Sequence, residues 1–413
     1  MSTWIPPKLD LDLNVTPHVI ASGRPLVSNE YPENFFRMAK WCPDGSAALA
    51  QCEDRTLQVL KLPTELLEST LADIVPSSAF QQSGPILDFL WYPSANAQDP
   101  ATYCFISSVR ECPVKLLDAT NGRLRASYKI VDHRERHVAP HSMAFNCVAT
   151  HLYCGFEEAI EVFDIQRPGE GVRLATTPSR KSKDGMKGIV SSIAFSRDYS
   201  GLYAASSLTS AITLFSESTG DEPVAYLDGM TSAIMQVQFH PVQPHLLYAS
   251  QRRSNTILCW DVRSPHVIMQ SFERKPQNTN QKLLFDIDSS GRWLATGDEH
   301  GYVSTYDLNN DKSEPAMQFH AHDDAIGSTN FHPAEPKIMT VSGSRHFHAP
   351  SPTTSNSPSD SELETGTGSE TEDVERPIVQ RRPIWPLATD SSMKVWGLDT
   401  HRPAEPTEST TNE

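Results

Sequence analysis

Short apolar runs separated by polar turns recur along the chain. Positions 192–195 read Ser-Ile-Ala-Phe and positions 256–260 read Thr-Ile-Leu-Cys-Trp. Alternation of this kind is the period of a β-strand, and a nearly continuous apolar run suits a strand buried on both faces. The runs belong to a repeated unit. Apolar residues lead to an aromatic, then to a Pro, Asp or Gly turn, then to a strand of small residues, and then to a strand ending in an aromatic or Asp. The anchors are Trp41, Trp91, Phe145, Phe195, Phe239, Ile287 and Phe331, spaced by 50, 54, 50, 44, 48 and 44 residues. Seven units at this period predict an all-β, seven-bladed β-propeller over residues 31–400.

The last unit carries the sharpest local signal. His322 stands nine residues before Phe331, and Asp390 stands six before Trp396. Ser342 falls on the strand between. These spacings resemble a WD40 blade, in which such side chains form one hydrogen-bonded chain; His322, Ser342, Asp390 and Trp396 are its expected members. A buried network of this type stabilises only when every member is paired. Most other blades lack the histidine (Met230 takes its place in blade five). The ring needs a closing strand to remove its open edge, and Leu13–Ile20, within the N-terminal segment 1–30, is the candidate. Residues 63–75 read as a short helix opened by Pro63, with Leu66, Leu67, Leu71 and Ile74 on one stripe.

Composition narrows the classes. A length of 413 residues fits two or three domains or one large closed fold. The 31 Pro and 20 Gly favour turns and short strands over long helices. No run approaches 18 apolar residues, so no membrane partner is expected. The first twenty residues lack the basic start and apolar core of a signal peptide. The seven Cys are odd in number and form no CxxC, which argues against a disulfide frame or a zinc site and for a reducing compartment. Phosphate-loop, nucleophile-elbow and HExxH motifs are absent. His320 to Asp324 reads as the blade-opening histidine with a turn. No metal, no cofactor and no catalytic residues are expected, and the chain reads as a non-enzyme.

The formal charge is −16, so nucleic acid could be held only by a local patch. Residues 347–384 form an expected disordered acidic insertion between the second and third strands of the last blade. Its stretch 351–376 holds seven acidic residues against Arg376 alone. Ser359, Ser361 and Ser369 each have an acidic residue three places on, the acceptor pattern of an acidophilic kinase. Such phosphates would strengthen competition with RNA for a basic surface. Residues 401–413 are an expected disordered tail. The basic residues that fall on one face of a propeller are Arg110, Arg180, Lys181, Lys183, Lys187, Arg252, Arg253, Arg274 and Lys275, with Arg134 and Arg136 further round. They are the expected phosphate contacts, with His133, His137 and His141 nearby for base contact.

The run from Phe105 through Arg110 to Ala119, the stretches Gly122–Tyr128 and Ala139–Phe145, Cys154-Gly155-Phe156, and Leu258–Arg263 resemble the telomerase Cajal body protein family of WD40 proteins. The resemblance covers about Asn34 to Leu398. It implies a non-catalytic scaffold of the nucleus that binds small non-coding RNA of the guide or telomerase type. It also implies ribonucleoprotein proteins as partners, delivery of those particles to nuclear bodies, and folding with the cytosolic chaperonin. Related fungal members point to an alternative, a protein adaptor in pre-mRNA splicing without direct RNA contact. The chain departs from the family in its short N-terminal segment.

Overall fold

A computed structural model describes residues 9–62, 71–179, 181–182, 185–347 and 387–400, and within them the apolar runs become twenty-nine strands. The first is β1 (His18–Gly23). Blade one holds β2 (Phe36–Trp41), β3 (Ala47–Cys52), β4 (Thr56–Lys61) and, after the short β5 (Ala72–Ile74), β6 (Pro76–Gln81). Blade two holds β7 (Ile86–Trp91), β8 (Cys104–Val109), β9 (Val114–Asp118) and β10 (Leu124–Tyr128). Blade three holds β11 (Ser142–Phe145), β12 (His151–Phe156), β13 (Ala159–Asp164) and β14 (Val172–Ala175). Blade four holds β15 (Val190–Phe195), β16 (Leu202–Ser207), β17 (Ile212–Ser216) and β18 (Pro223–Leu227). Blade five holds β19 (Ile234–Phe239), β20 (Leu246–Gln251), β21 (Thr256–Asp261) and β22 (Ile268–Glu273). Blade six holds β23 (Phe285–Ile287), β24 (Trp293–Gly297), β25 (Tyr302–Asp307) and β26 (Met317–His320). Blade seven runs β27 (Ile326–Phe331), β28 (Lys337–Ser342), β29 (Met393–Gly397), β1 and β5. The protein is a seven-bladed β-propeller, and each of the seven sequence anchors is the last residue of an innermost strand.

The ring closes through β1, which pairs antiparallel with β29 and sets Val19 opposite Trp396. The closing strand thus lies further along than Leu13–Ile20. Asp12 and Asn14 form a turn, with the Asn14 and Val15 amides donating back to Asp12, and Pro17 has no amide to donate. Before that turn, Leu9 and Leu11 are buried in a cluster with Trp293 and Trp396, and the Trp293 indole donates to the Leu9 carbonyl at 2.7 Å. Of the expected helix, residues 63–70 lie outside the described residues. Its end is instead β5, paired parallel to β1. Gly23 permits that pairing, since a Cβ there would sit 2.3 Å from the Ile74 carbonyl oxygen.

Packing between blades supplies the core. Leu49, Leu57, Val59, Phe89 and Phe105 fill the gap between blades one and two, and Ala21, Phe36, Ala48, Met339 and Val341 fill that between seven and one. Toward the axis, a polar side chain rivets each pair of neighbouring inner strands. Lys40 donates to the Phe89 carbonyl and Ser142 to that of Val190. Asp88 accepts from the Met143 amide, Ser192 from Val237, Asp286 from Phe331 and Ser328 from Ala39. Gln236 both donates to and accepts from Phe285. Seven junctions carry seven such rivets, and each satisfies a backbone group that the inner edge would otherwise leave open.

The polar chain of blade seven forms through Thr340. The Trp396 indole donates to Thr340 Oγ1 at 2.9 Å, Thr340 lies 2.7 Å from His322 Nε2, and His322 Nδ1 lies 3.0 Å from Asp390. Ser342, expected in the middle place, instead donates to the Ala325 carbonyl at 3.2 Å. The arrangement is satisfied by a neutral imidazole that donates from Nδ1 to Asp390 and accepts the Thr340 hydroxyl at Nε2. Asp390 opposes the loss of the imidazole's charge, but burial dominates and pulls His322 below the usual histidine range.

His240 and His332, each in a Phe-His-Pro sequence, are also held neutral. Their Nδ1 atoms accept two backbone amides each, and Nε2 lies against the Gly291 and Gly45 carbonyls. Burial lowers the pKa of both. Unfolded histidines titrate near 6.5, so the stability tied to these three rings is complete above that pH and is lost as pH falls. Asp286, raised to about 6 by burial, works in the opposite sense between about pH 4 and 6, as one group against three. The urea midpoint is therefore expected to be lower at pH 5.5 than at pH 7.5. An equal or higher midpoint at pH 5.5 contradicts this assignment.

Candidate nucleic-acid interface

The turns joining second to third strands, and the connections between blades, emerge on one face. The β20–β21 turn there carries Arg252 and Arg253. Arg253 adopts φ 53°, the left-handed region. The Arg252 amide donates to Ala233 at 2.8 Å, and Ser232 donates to the Arg252 carbonyl at 3.0 Å. Both arginines border a cleft of about 520 Å³ with Thr231, Ser232, Ala233, Ser254, Asn255 and Asn280. Arg253 is exposed and Arg252 half-buried; the buried Arg252 Nε has no hydrogen-bond partner among the described residues. Guanidinium, hydroxyl and amide groups suit phosphate and ribose oxygens. Among the described residues no aromatic ring lines the cleft, and a platform on which bases stack is not among its lining groups.

The remaining expected contacts divide. Arg110 is exposed on the β8–β9 turn, Lys181 is exposed, and Lys187 is half-buried. Arg180 and Lys183 lie outside the described residues, as do Ser359, Ser361, Ser369 and residues 348–386 and 401–413 of the insertion and tail. Arg274 is not a surface contact. It is 9% exposed, and it donates to the Ser254 and Gln251 carbonyls at 3.2 and 3.3 Å. Burial pulls its pKa down to about 10. Its guanidinium braces the Arg252–Arg253 turn from beneath. The Lys275 ammonium sits 3.3 Å from the Tyr302 ring centroid, a cation–π contact that occupies it. Arg136 is paired with Asp132 at 2.8 Å, whereas Arg134, His133 and His137 are exposed. His141 is half-buried and lies within the field of Arg110 and Lys282; burial first, then those charges, lower its pKa.

Two basic features went unread in the sequence. Arg37 and Arg345 share Glu53, at 3.6 and 2.5 Å, on the same face where blade seven meets blade one. Arg345 follows β28 as Arg110 follows β8 and Arg252 follows β20, and that position was the available signal. Lys282 lines the axial channel with Lys40 and Asp88. Beside Arg345, the Asp324 carboxylate accepts from Ser344, His346, Ala325 and Thr389. His346 and Leu387 exchange both backbone bonds at 2.8 Å, so the chain leaves blade seven and returns to it at one pinned neck. Among the described residues no three His, Cys, Asp or Glu gather as a metal cluster.

No family model matches the chain. It is 35% identical over 330 residues to telomerase Cajal body protein 1 of Mesocricetus auratus, covering 78% of this chain and 60% of that protein. The human protein of that name is 34% identical over 328 residues, covering 78% and 59%. Guanine nucleotide-binding protein negative regulator 1 of Schizosaccharomyces pombe is 27% identical over 297 residues, covering 69% and 72%. The chain thus spans about 60% of the length of the mammalian relatives it matches. Over that shared length, this propeller belongs with the telomerase Cajal body proteins as their homologue.

Proposed function

We propose that this protein is a non-catalytic scaffold of the nucleus that binds small non-coding RNA, of the guide or telomerase type, and directs ribonucleoprotein particles to their nuclear site. The names of its relatives support a setting of telomerase and Cajal bodies. The observation that carries RNA contact is the Arg252–Arg253 cleft, where an acidic chain sets the exposed Arg253 and the half-buried Arg252 in a polar lining. Arg110, Lys181 and Lys187 extend the surface around the same face, and Arg180 and Lys183 belong to the same connection. A cleft without aromatics takes the sugar–phosphate backbone and leaves base reading to other parts of the face, with exposed His133 and His137 in reach of solvent. Ribonucleoprotein proteins occupy the rest of the rim, and the cytosolic chaperonin assists a fold built from non-local strand pairs.

Crosslinking followed by sequencing of the retained RNA tests this reading. The double variant Arg252→Glu, Arg253→Glu is expected to retain on the order of tenfold less RNA at physiological salt, with the melting temperature unchanged. Undiminished retention removes the cleft from the interface. Recovery of nuclease-resistant protein partners with no RNA favours the splicing-adaptor reading instead.

A further inference from the structure

The channel along the propeller axis contains a cavity of about 190 Å³, lined by inner-strand residues of blades one to five and by Lys282. Its charged groups are Lys40, Asp88 and Lys282. Two of them satisfy each other. Lys40 Nζ lies 3.2 Å from Asp88 Oδ1 and donates to the Phe89 carbonyl at 2.6 Å. Asp88 also accepts the Met143 and Phe89 amides, each at 2.8 Å. Asp286, the other inner-strand carboxylate, is not among the lining groups; it sits behind Gln238, with its oxygens taken by Gln238, Ile287 and Phe331.

Lys282 is left over. Among the described residues its ammonium makes one long hydrogen bond, 3.4 Å to the Ser191 carbonyl; burial first and then the Lys40 charge lower its pKa, while the field of Asp88 opposes them. The cavity wall carries two ammonium groups, Lys40 and Lys282, against the one carboxylate of Asp88. Ser192 Oγ, also lining the cavity, accepts the Val237 amide, which leaves its hydroxyl hydrogen to donate. The half-buried ammonium feels Asp88 across the cavity, but the Asp88 oxygens are already taken by Lys40 and two backbone amides, so the remaining Lys282 donors face the channel. At ~30 Å³ per water the cavity has room for about six waters, enough for a tetrahedral oxyanion and too little for a nucleotide. We propose that Lys282 and Ser192 hold a small inorganic oxyanion of phosphate size in the axial channel, a site separate from the Arg252–Arg253 cleft.

Thermal melts of the full chain at constant ionic strength, with phosphate replacing chloride, test the site. At a tenfold excess of phosphate over its dissociation constant the melting temperature is expected to rise by about 2 °C. Lys282→Met is expected to lose that rise, and the Arg252→Glu, Arg253→Glu protein to keep it, which separates failure here from failure of the RNA cleft. Equilibrium dialysis of the unaltered protein against labelled phosphate, expected to give one ion per chain, supplies a reading that needs no variant to fold. A random-sequence RNA oligomer added in place of phosphate is expected to give no Lys282-dependent rise. Equal melts in phosphate and chloride, a phosphate response that survives Lys282→Met, no bound phosphate in dialysis, or a Lys282-dependent response to RNA each overturn the proposal.

Discussion

Thr340→Val is expected to cost about 2–4 kcal/mol of stability, because it strands two buried polar groups at once. The Trp396 indole loses its acceptor and His322 Nε2 loses its donor, while valine keeps nearly the same volume. Ser342→Ala removes one hydrogen bond to the Ala325 carbonyl and is expected to cost about 1 kcal/mol. Urea unfolding of both variants, read by tryptophan fluorescence, measures the difference directly. Were Ser342 the middle member of the chain, the order of the two costs would reverse.

Deleting residues 1–23 is expected to have a still larger effect. It removes β1, the fourth strand of blade seven, and exposes β29 along its whole length. It also strips Leu9, Leu11 and Ala21 from two buried clusters and leaves the Trp293 indole without its acceptor. Loss of a Leu side chain from such a core alone costs ~2–5 kcal/mol, and the open edge invites pairing between chains. The truncated protein is expected to elute as aggregate in size-exclusion chromatography and to lose its cooperative melt. A monomer with a sharp melt would show that the ring closes without β1.

The architecture was legible because propeller repeats leave a length signature. Seven anchors at 44 to 54 residues fall at the ends of seven inner strands. What escaped depends on register and on contacts distant in sequence. Thr340 and Ser342 lie two apart on β28, so alternation aims both toward the same side. Only the pairing of Ile338 with Trp396 puts the indole over Thr340. Leu13–Ile20 was the candidate closing strand because the ring's open edge needs a partner from the N-terminal segment, but the Asp12–Asn14 turn and Pro17 push the pairing to His18–Gly23. Arg274 read as a loop cation because it falls in the connection between blades five and six; the carbonyls it braces lie 20 and 23 residues back along the chain. Arg37 and Arg345 meet at Glu53 only once the ring is closed. The Arg252–Arg253 pair was visible because a turn between second and third strands can be placed from the repeat alone. The cleft beside it could not be, since it is built from three separate loops.

The most direct measurement is the salt dependence of RNA affinity for the unaltered protein and for Arg252→Ala, Arg253→Ala. If both guanidiniums sit on phosphates of a single strand, the slope of log affinity against log salt is expected to be shallower in the variant by about 1.4, roughly 0.7 for each phosphate no longer neutralised. An unchanged slope with unchanged affinity would place the RNA, if any binds, away from blade five.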